Sequence, residues 1–190
     1  MKLKTFFLIL LSSLAIAQVQ DTSASGCPLS ISGTYSAAMV TNNSQKEVLG
    51  YALMVPSLNH RIQHDSYFKP HGLLAGTSDH SYNLWPEATT QNGNQPLPAN
   101  VTFVQFVDGS TWGDSATVDF LALRQILIQN FSDLTALAAN GGDVKTYMTG
   151  NRYLSALLQT YNAQGMTALQ AAIADKLANA AAHDKKLSGK

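Results

Sequence analysis

Two short segments of this chain carry apolar side chains at nearly every position, and they constrain the fold more than any other feature. They are residues 48–55 (VLGYALMV) and residues 101–107 (VTFVQFV). Successive side chains of a β-strand point to opposite faces. Strict alternation therefore places Val101 and Phe103 on one face and Val104 on the other. A strand with one face in water alternates apolar and polar residues more cleanly. Both segments are thus predicted to be central strands, with an opposing sheet on one face and helices over part of the other.

The sequence around these segments, residues 29–113, has the pattern of short strands separated by turns. Short apolar runs alternate with clusters of Asn, Gly, Pro, Ser and Asp, which favour turns. Further strands are predicted at residues 31–35, 37–41, 61–68, 73–75 and 82–84, with a long loop at residues 86–100. Asp108-Gly109 is typical of a β-hairpin turn. This part of the chain is therefore predicted to be a β-sandwich.

From Asp114 onward the hydrophobic period changes from two residues to that of a helix. One helix face carries Phe120, Leu123, Leu127, Phe131 and Leu134. Asp114 is predicted to cap this helix, and the Asn-Gly-Gly of residues 140–142 to end it. Asp143 is predicted to cap a second helix that bends or splits at Gly150. A third, Ala-rich helix follows after about residue 167, so residues 114–184 form a helical region and residues 185–190 a frayed tail.

The first seventeen residues have the composition of a signal peptide. Lys2 and Lys4 precede an apolar run at residues 6–11, and Ala15-Ile16-Ala17 supplies the small residues that signal peptidase recognises. The run is too short to span a bilayer, which needs about 20 residues. The chain is therefore predicted to be exported, to the periplasm or the extracellular space, with residues 18–28 as a flexible lead-in.

The single cysteine, Cys27, leaves one alternative open. The preceding Ala24-Ser25-Gly26 partly matches a lipoprotein signal, although polar residues such as Asp21 separate Cys27 from the apolar run. Lipidation there would bring the protein to a membrane. Contact with a membrane is expected only in that case.

Composition excludes several function classes. The chain has 12 Lys+Arg and 12 Asp+Glu, so its formal net charge is zero and no basic footprint for nucleic acid is present. One cysteine excludes a disulfide framework and a Cys-rich zinc site. No phosphate-binding glycine loop or G-x-S-x-G nucleophile motif occurs. No cofactor is expected.

Three stretches carry a resemblance to known proteins: residues 42–51 (NNSQKEVLGY), 64–68 (HDSYF) and 101–114 (VTFVQFVDGSTWGD). They resemble a loose group of uncharacterised secreted bacterial proteins with an N-terminal immunoglobulin-like β-sandwich and a helical tail. The resemblance implies an α+β fold, in which an antiparallel immunoglobulin-like sandwich precedes two to three C-terminal α-helices. It implies no activity and no catalytic residues.

The histidines are the candidates for chemistry. His60, His64, His71 and His80 lie close together in sequence, beside Asp65 and Asp79. On a strand His60 and His64 would stand about 13 Å apart, which is too far for one metal ion. A metal site is therefore disfavoured. A secreted hydrolase or metal-dependent enzyme that uses the region from His60 to His80 stays an alternative. A hydrolase using His64, Asp65, His71 or His80 requires these side chains to converge in one pocket.

A second alternative concerns Trp85, which is predicted to lie in a loop near Tyr82. An exposed tryptophan can stack on a sugar ring or anchor a protein partner. Trp85, Tyr82, His64, His71 and His80 are the candidate ligand contacts. The leading hypothesis is an exported, non-catalytic β-sandwich protein that acts through contacts with a protein or cell-envelope partner.

Overall fold

The computed structural model describes residues 18–34, 36–82 and 96–189. Within these ranges the chain forms eight strands followed by three α-helices. The strands are β1 (Val19–Asp21), β2 (Leu29–Thr34), β3 (Ala37–Asn42), β4 (Val48–Val55), β5 (His60–Asp65), β6 (Ser78–Tyr82), β7 (Leu97–Phe106) and β8 (Thr111–Gly113). The helices are α1 (Phe120–Ala139), α2 (Val144–Thr149) and α3 (Ser155–Leu187). The predicted α+β order, with sheets first and helices after, is confirmed.

The described strands form two sheets. One has the order β1-β7-β4-β5 with β8 paired to β7, and the other has the order β2-β3-β6. The pairs are antiparallel except β1 with β7, which is parallel. Apolar residues from both sheets share one core, which includes Leu29, Ile31, Val40, Tyr51, Leu53, Val101, Val104 and Phe106. The two sheets therefore pack face to face as a sandwich.

A bulge in β7 changes which side chains face this core. Leu53 pairs with Val101 and Ala52 pairs with Phe103, so Thr102 is an extra residue in β7. Val101 and Val104 consequently face the sandwich core, whereas Phe103 faces the helices. The sequence-based alternation, which placed Val101 and Phe103 on one face, is wrong for this reason. Gly113 of β8 lies against the bulge with a φ of +84°, and a Cβ there would sit 2.2 Å from the Thr102 carbonyl oxygen.

The helical region covers the second face of the larger sheet. Ala52 and Phe103 pack against Phe120 of α1, and Leu49 packs with Ala180 of α3. Gly50 allows this close approach, because a Cβ at that position would lie 3.0 Å from the Phe120 ring. The prediction that β4 and β7 are covered on both faces is confirmed.

One charged side chain joins the helices to the sheet. Arg124 of α1 is only 5% exposed. Its Nε and Nη2 donate to the two carboxylate oxygens of Asp65 at 2.9 and 2.7 Å, and Nη1 donates to Gln105 Oε1 at 2.8 Å. The guanidinium also lies over the Tyr67 ring, 4.5 Å from its centre. A buried charge is tolerated only when it is paired and bonded in this way.

The helix boundaries follow the predicted signals with two changes, one of which is that the third helix begins at Ser155 and not after about residue 167. Asp143 caps α2 by accepting from the Thr146 amide, and α2 ends at Gly150 as predicted. Asp114 caps a short 3-10 turn at Ser115–Thr117 instead of α1. The first amides of α1 are instead bonded by a side chain of the sheet, since the Phe120 amide donates to Gln63 Oε1 at 3.3 Å. A tertiary contact thus replaces the predicted local cap.

Both ends of the described chain are more ordered than the sequence predicts. The expected flexible lead-in at residues 18–28 contains β1, and Asp21 of β1 accepts a bond from the Ile31 amide at 2.8 Å. The expected frayed tail begins inside α3, which continues to Leu187 beyond a kink at Gly165. Tyr67 explains the order of this end, because its hydroxyl donates to Asp184 at 2.5 Å.

Two smaller strand predictions also change. Residues 73–75 contribute only an isolated bridge between Val48 and Leu73, and residues 97–100 belong to β7 instead of a loop. Pairing decides both outcomes: β1 and β4 offer partners to residues 97–100, while Leu73 meets β4 at a single position. Residues 83–95 lie outside the described residues, and they include most of the predicted strand 82–84 and of the predicted loop 86–100. The predicted signal residues 1–17 lie outside them as well.

Replacing Arg124 by Met tests the ion pair that connects α1 to the larger sheet. The change leaves the Asp65 carboxylate partly buried without its cation, so we expect a loss of about 3–5 kcal/mol in the free energy of unfolding. Urea denaturation measures it. The matched control is Lys46→Met, which breaks a pair with Asp108 whose side chains are about half exposed (52% and 50%); it should cost about 0–1 kcal/mol. Equal losses in the two variants would contradict this role of Arg124.

Candidate functional site

The candidate site lies at one edge of the sandwich. Among the described strands, β5 and β6 are the last of their sheets on this side, and residues 66–77 connect them. Between them is a cavity of about 300 Å³, called the edge cavity here. Its lining residues are His64, Ser66, Lys69, His71, Gly72, Leu73, Leu74, Thr77, Ser78 and Asp79.

Successive side chains at the end of β5 and just after it, residues 64–67, point alternately to two sides of the sheet. His64 and Ser66 line the edge cavity. Asp65 points to the helices and binds Arg124, and Tyr67 packs there against Ala180. Residues two apart on an extended chain share a face. The bond between Asp65 and Arg124 therefore also holds its two neighbours toward the cavity.

His64 contacts a serine on one side and a carboxylate on the other. Its Nε2 lies 3.0 Å from Ser66 Oγ. Its Nδ1 lies 3.6 Å from Asp79 Oδ2, which is a close contact rather than a hydrogen bond. The imidazole stacks on Tyr51 with 5.1 Å between ring centres, and this contact limits its rotation. With the proton on Nδ1, facing Asp79, Nε2 accepts from the Ser66 hydroxyl.

The surroundings keep the His64 imidazole neutral. Burial lowers the pKa of His64 below its ordinary value of 6.5, and the positive charge of Lys69 acts in the same direction. The carboxylates of Asp79 and Asp65 oppose this shift more weakly. A neutral imidazole at pH 7 can accept a proton, which a general base must do.

A serine bonded to a neutral histidine, with a carboxylate beyond it, is the arrangement that activates a hydroxyl as a nucleophile. Ser66 itself is only 3% exposed, and the edge cavity that it lines is its opening to small molecules. Lys69 adds a positive group to the same cavity. Such a group can stabilise negative charge that develops on a reacting oxygen.

The predicted site residues separate into three groups. His64 and His71 both line the edge cavity, together with Asp79. His80 and Tyr82 lie on β6, where their side chains are outside the described residues, and Trp85 is outside them altogether. Asp65 and His60 do not line the cavity. Asp65 instead forms the ion pair with Arg124.

Ser66 and Lys69 are the residues that the sequence analysis missed. Ser66 had a local signal, because His64 and Ser66 are two apart in a predicted strand and must share a face. Asp79 had none as a partner of His64, since the two strands belong to different sheets.

In the described part of the chain, no group of three His, Cys, Asp or Glu side chains is placed to hold a metal ion. Within the same residues, no helix combines the length and apolarity that crossing a bilayer requires. The thiol of Cys27 is half-buried against the sandwich core, and burial raises its pKa.

Comparison of the chain with protein-family models, with curated proteins and with solved structures finds no match. The resemblance to secreted proteins with an immunoglobulin-like sandwich therefore stays a prediction.

Proposed function

We propose that this protein is an exported serine hydrolase. Ser66 is the nucleophile, His64 the general base, and Asp79 the carboxylate that orients the imidazole. One observation carries the proposal: the Ser66 hydroxyl lies 3.0 Å from His64 Nε2 inside a cavity that Asp79 also lines. The sequence alone favoured a non-catalytic role and required convergence of the histidines for a hydrolase. His64 and His71 line one cavity, whereas Asp65 does not, and the side chain of His80 lies outside the described residues.

The reaction follows from these positions. Ser66 Oγ attacks the carbonyl carbon of an ester, and its proton passes to His64 Nε2. The bond to the alcohol oxygen then breaks, and His64 returns the proton to the leaving alcohol. Water attacks the acyl group on Ser66 by the same proton route, which releases the acid and restores the serine.

The size of the edge cavity limits the substrate. About 300 Å³ is at the lower end of the range for ligand pockets. A short acyl group fits within such a space. Small esters are therefore the proposed substrate class.

Covalent labelling tests the nucleophile. We expect diisopropyl fluorophosphate to modify the mature protein once, at Ser66, as located by peptide mass spectrometry. Ser66→Ala should abolish this label together with hydrolysis of p-nitrophenyl acetate. Ser30→Ala is the matched control. Ser30 lies on β2, accepts a hydrogen bond from the Asn43 side chain and does not line the cavity, so this substitution should leave both the label and the hydrolysis unchanged. No label, or a label elsewhere, would reject the proposal.

The pH dependence tests His64 as the base. Its lowered pKa means that the imidazole stays neutral to a lower pH than an ordinary histidine. We expect kcat/KM to fall in acid with a midpoint below 6.5. Lys69→Met removes a nearby positive charge that opposes protonation, so the midpoint should move to higher pH. An acid midpoint that Lys69→Met leaves in place would contradict the assignment.

Export through a cleaved signal peptide is part of the proposal. The position of β1 supports cleavage after Ala17, because Val19 already pairs with Leu97. A cut before Cys27, as lipidation requires, would remove β1 and its bond to Ile31. Loss of these contacts would expose the edge of β7.

Expression of the full chain in a bacterium tests this point. We expect a secreted or periplasmic product that begins at Gln18, identified by intact mass and N-terminal sequencing. Recovery in the membrane fraction with an acylated Cys27 at the N-terminus would contradict it, as would retention of the uncleaved chain.

A role through contacts with a protein partner is the second candidate function. A groove of about 340 Å³ between β5 and α1 supports it, because two of its lining residues are large, apolar and exposed. They are Ile126, which is 54% exposed, and Tyr153, which is 43% exposed. Exposed apolar side chains beside a groove are typical of binding surfaces. Failure of the labelling experiment would favour this candidate.

A further inference from the structure

Another cavity lies at the end of the hairpin formed by β7 and β8, and none of its described lining residues belongs to the edge cavity. We call it the hairpin hollow. Its volume is about 420 Å³. It is lined by Gly26, Pro28, Ser44, Gln45, Lys46, Phe106, Ser110, Thr111 and Trp112.

The walls of the hairpin hollow combine aromatic rings with uncharged polar groups. Trp112 is half-buried: it packs against the sandwich core and also lines the hollow. Phe106 provides a second ring. The hydroxyls of Ser44, Ser110 and Thr111 and the amide of exposed Gln45 lie around them. Aromatic faces with nearby hydroxyl and amide groups suit a ligand that is apolar on one side and polar at its rim.

Among the described lining residues, Lys46 carries the one ammonium group, and that group is paired with a carboxylate. Lys46 Nζ lies 2.7 Å from Asp108 Oδ2 and 3.0 Å from Ser110 Oγ, and it also sits over the Phe106 ring. Hydrogen bonds from Lys46 and Ser110 hold the pKa of Asp108 well below its usual range, so the carboxylate stays ionised. The hollow therefore favours a neutral ligand over an anionic one.

The loop of residues 42–46, which lines the hollow together with Trp112, is held in place by hydrogen bonds within the protein. Asn42 is fully buried, and its amide donates to the carbonyl oxygens of Lys46 and Leu73 at 2.8 and 2.9 Å. The Ser44 hydroxyl and amide both donate to Asn42 Oδ1. A binding surface that is already ordered loses less conformational entropy on binding.

We propose that the hairpin hollow is a carbohydrate-binding site for neutral glycans, in which a sugar ring stacks on Trp112 and its hydroxyls bond to the exposed side chains of Gln45 and Thr111. This site is separate from Ser66 and does not depend on the proposed hydrolase. Trp112 packs against the sandwich core, and its partial exposure into the polar hollow leaves part of the indole able to contact a ligand.

A glycan array carrying neutral and acidic sugars tests the site with the mature protein. We expect neutral glycans to bind, and titration of a bound glycan should show about tenfold or greater weakening in Trp112→Ala. Trp112→Phe keeps an aromatic face and should retain most of the affinity. Gln45→Ala should weaken binding without changing stability, since Gln45 is exposed. Folding of each variant is checked by urea denaturation.

Two variants serve as controls. Trp85→Ala removes the other tryptophan of the chain, and Ser66→Ala disables the proposed nucleophile; both should bind the glycan as the wild type does. Loss of binding in Trp85→Ala with retention in Trp112→Ala would overturn the assignment. Binding of acidic glycans alone, or of no glycan, would also overturn it.

Discussion

The ion pair between Arg124 and Asp65 is the interaction on which the rest of the structure depends. It places a charge from the N-terminal part of α1 against the end of β5, where Arg124 is 5% exposed. Two parallel bonds to one carboxylate fix both distance and orientation. Gln105 and the ring of Tyr67 complete the surroundings of the guanidinium. The pair therefore helps to fix how the helical region lies on the larger sheet.

The same pair connects the fold to the proposed chemistry. Asp65 stands between His64 and Ser66, so the bond that holds Asp65 against the helices turns its two neighbours toward the edge cavity. Tyr67 continues the pattern on the helix side, where its hydroxyl reaches Asp184 near the end of α3. Stability and the orientation of the candidate catalytic groups thus share four consecutive residues. A substitution at Asp65 would disturb both.

Much of the architecture could be predicted from the sequence, because the spacing of apolar residues distinguishes strands from helices. Apolar residues on both faces of residues 48–55 and the change of period after Asp114 predict a covered central strand and a helical region. The bulge at Thr102 could not be predicted, since an extra residue depends on how β4 and β7 pair. β1 was missed because three residues carry no pattern, and its strand exists only through pairing with β7.

The candidate site divides in the same way. The shared face of His64 and Ser66 follows from local spacing and could have been deduced. The approach of Asp79 to His64 depends on two edge strands of different sheets meeting across the sandwich, and no local pattern encodes it.

Native-state hydrogen exchange most directly tests whether sheet and helices form one cooperative unit through Arg124. Amides of β4, β7 and α1 should exchange with the same free energy of opening, equal to that of global unfolding. If α1 opened at a much lower free energy while β4 and β7 stayed protected, the helices would unfold independently of the sandwich. That result would contradict the claim that Arg124 couples the sheet and the helices into one cooperative unit.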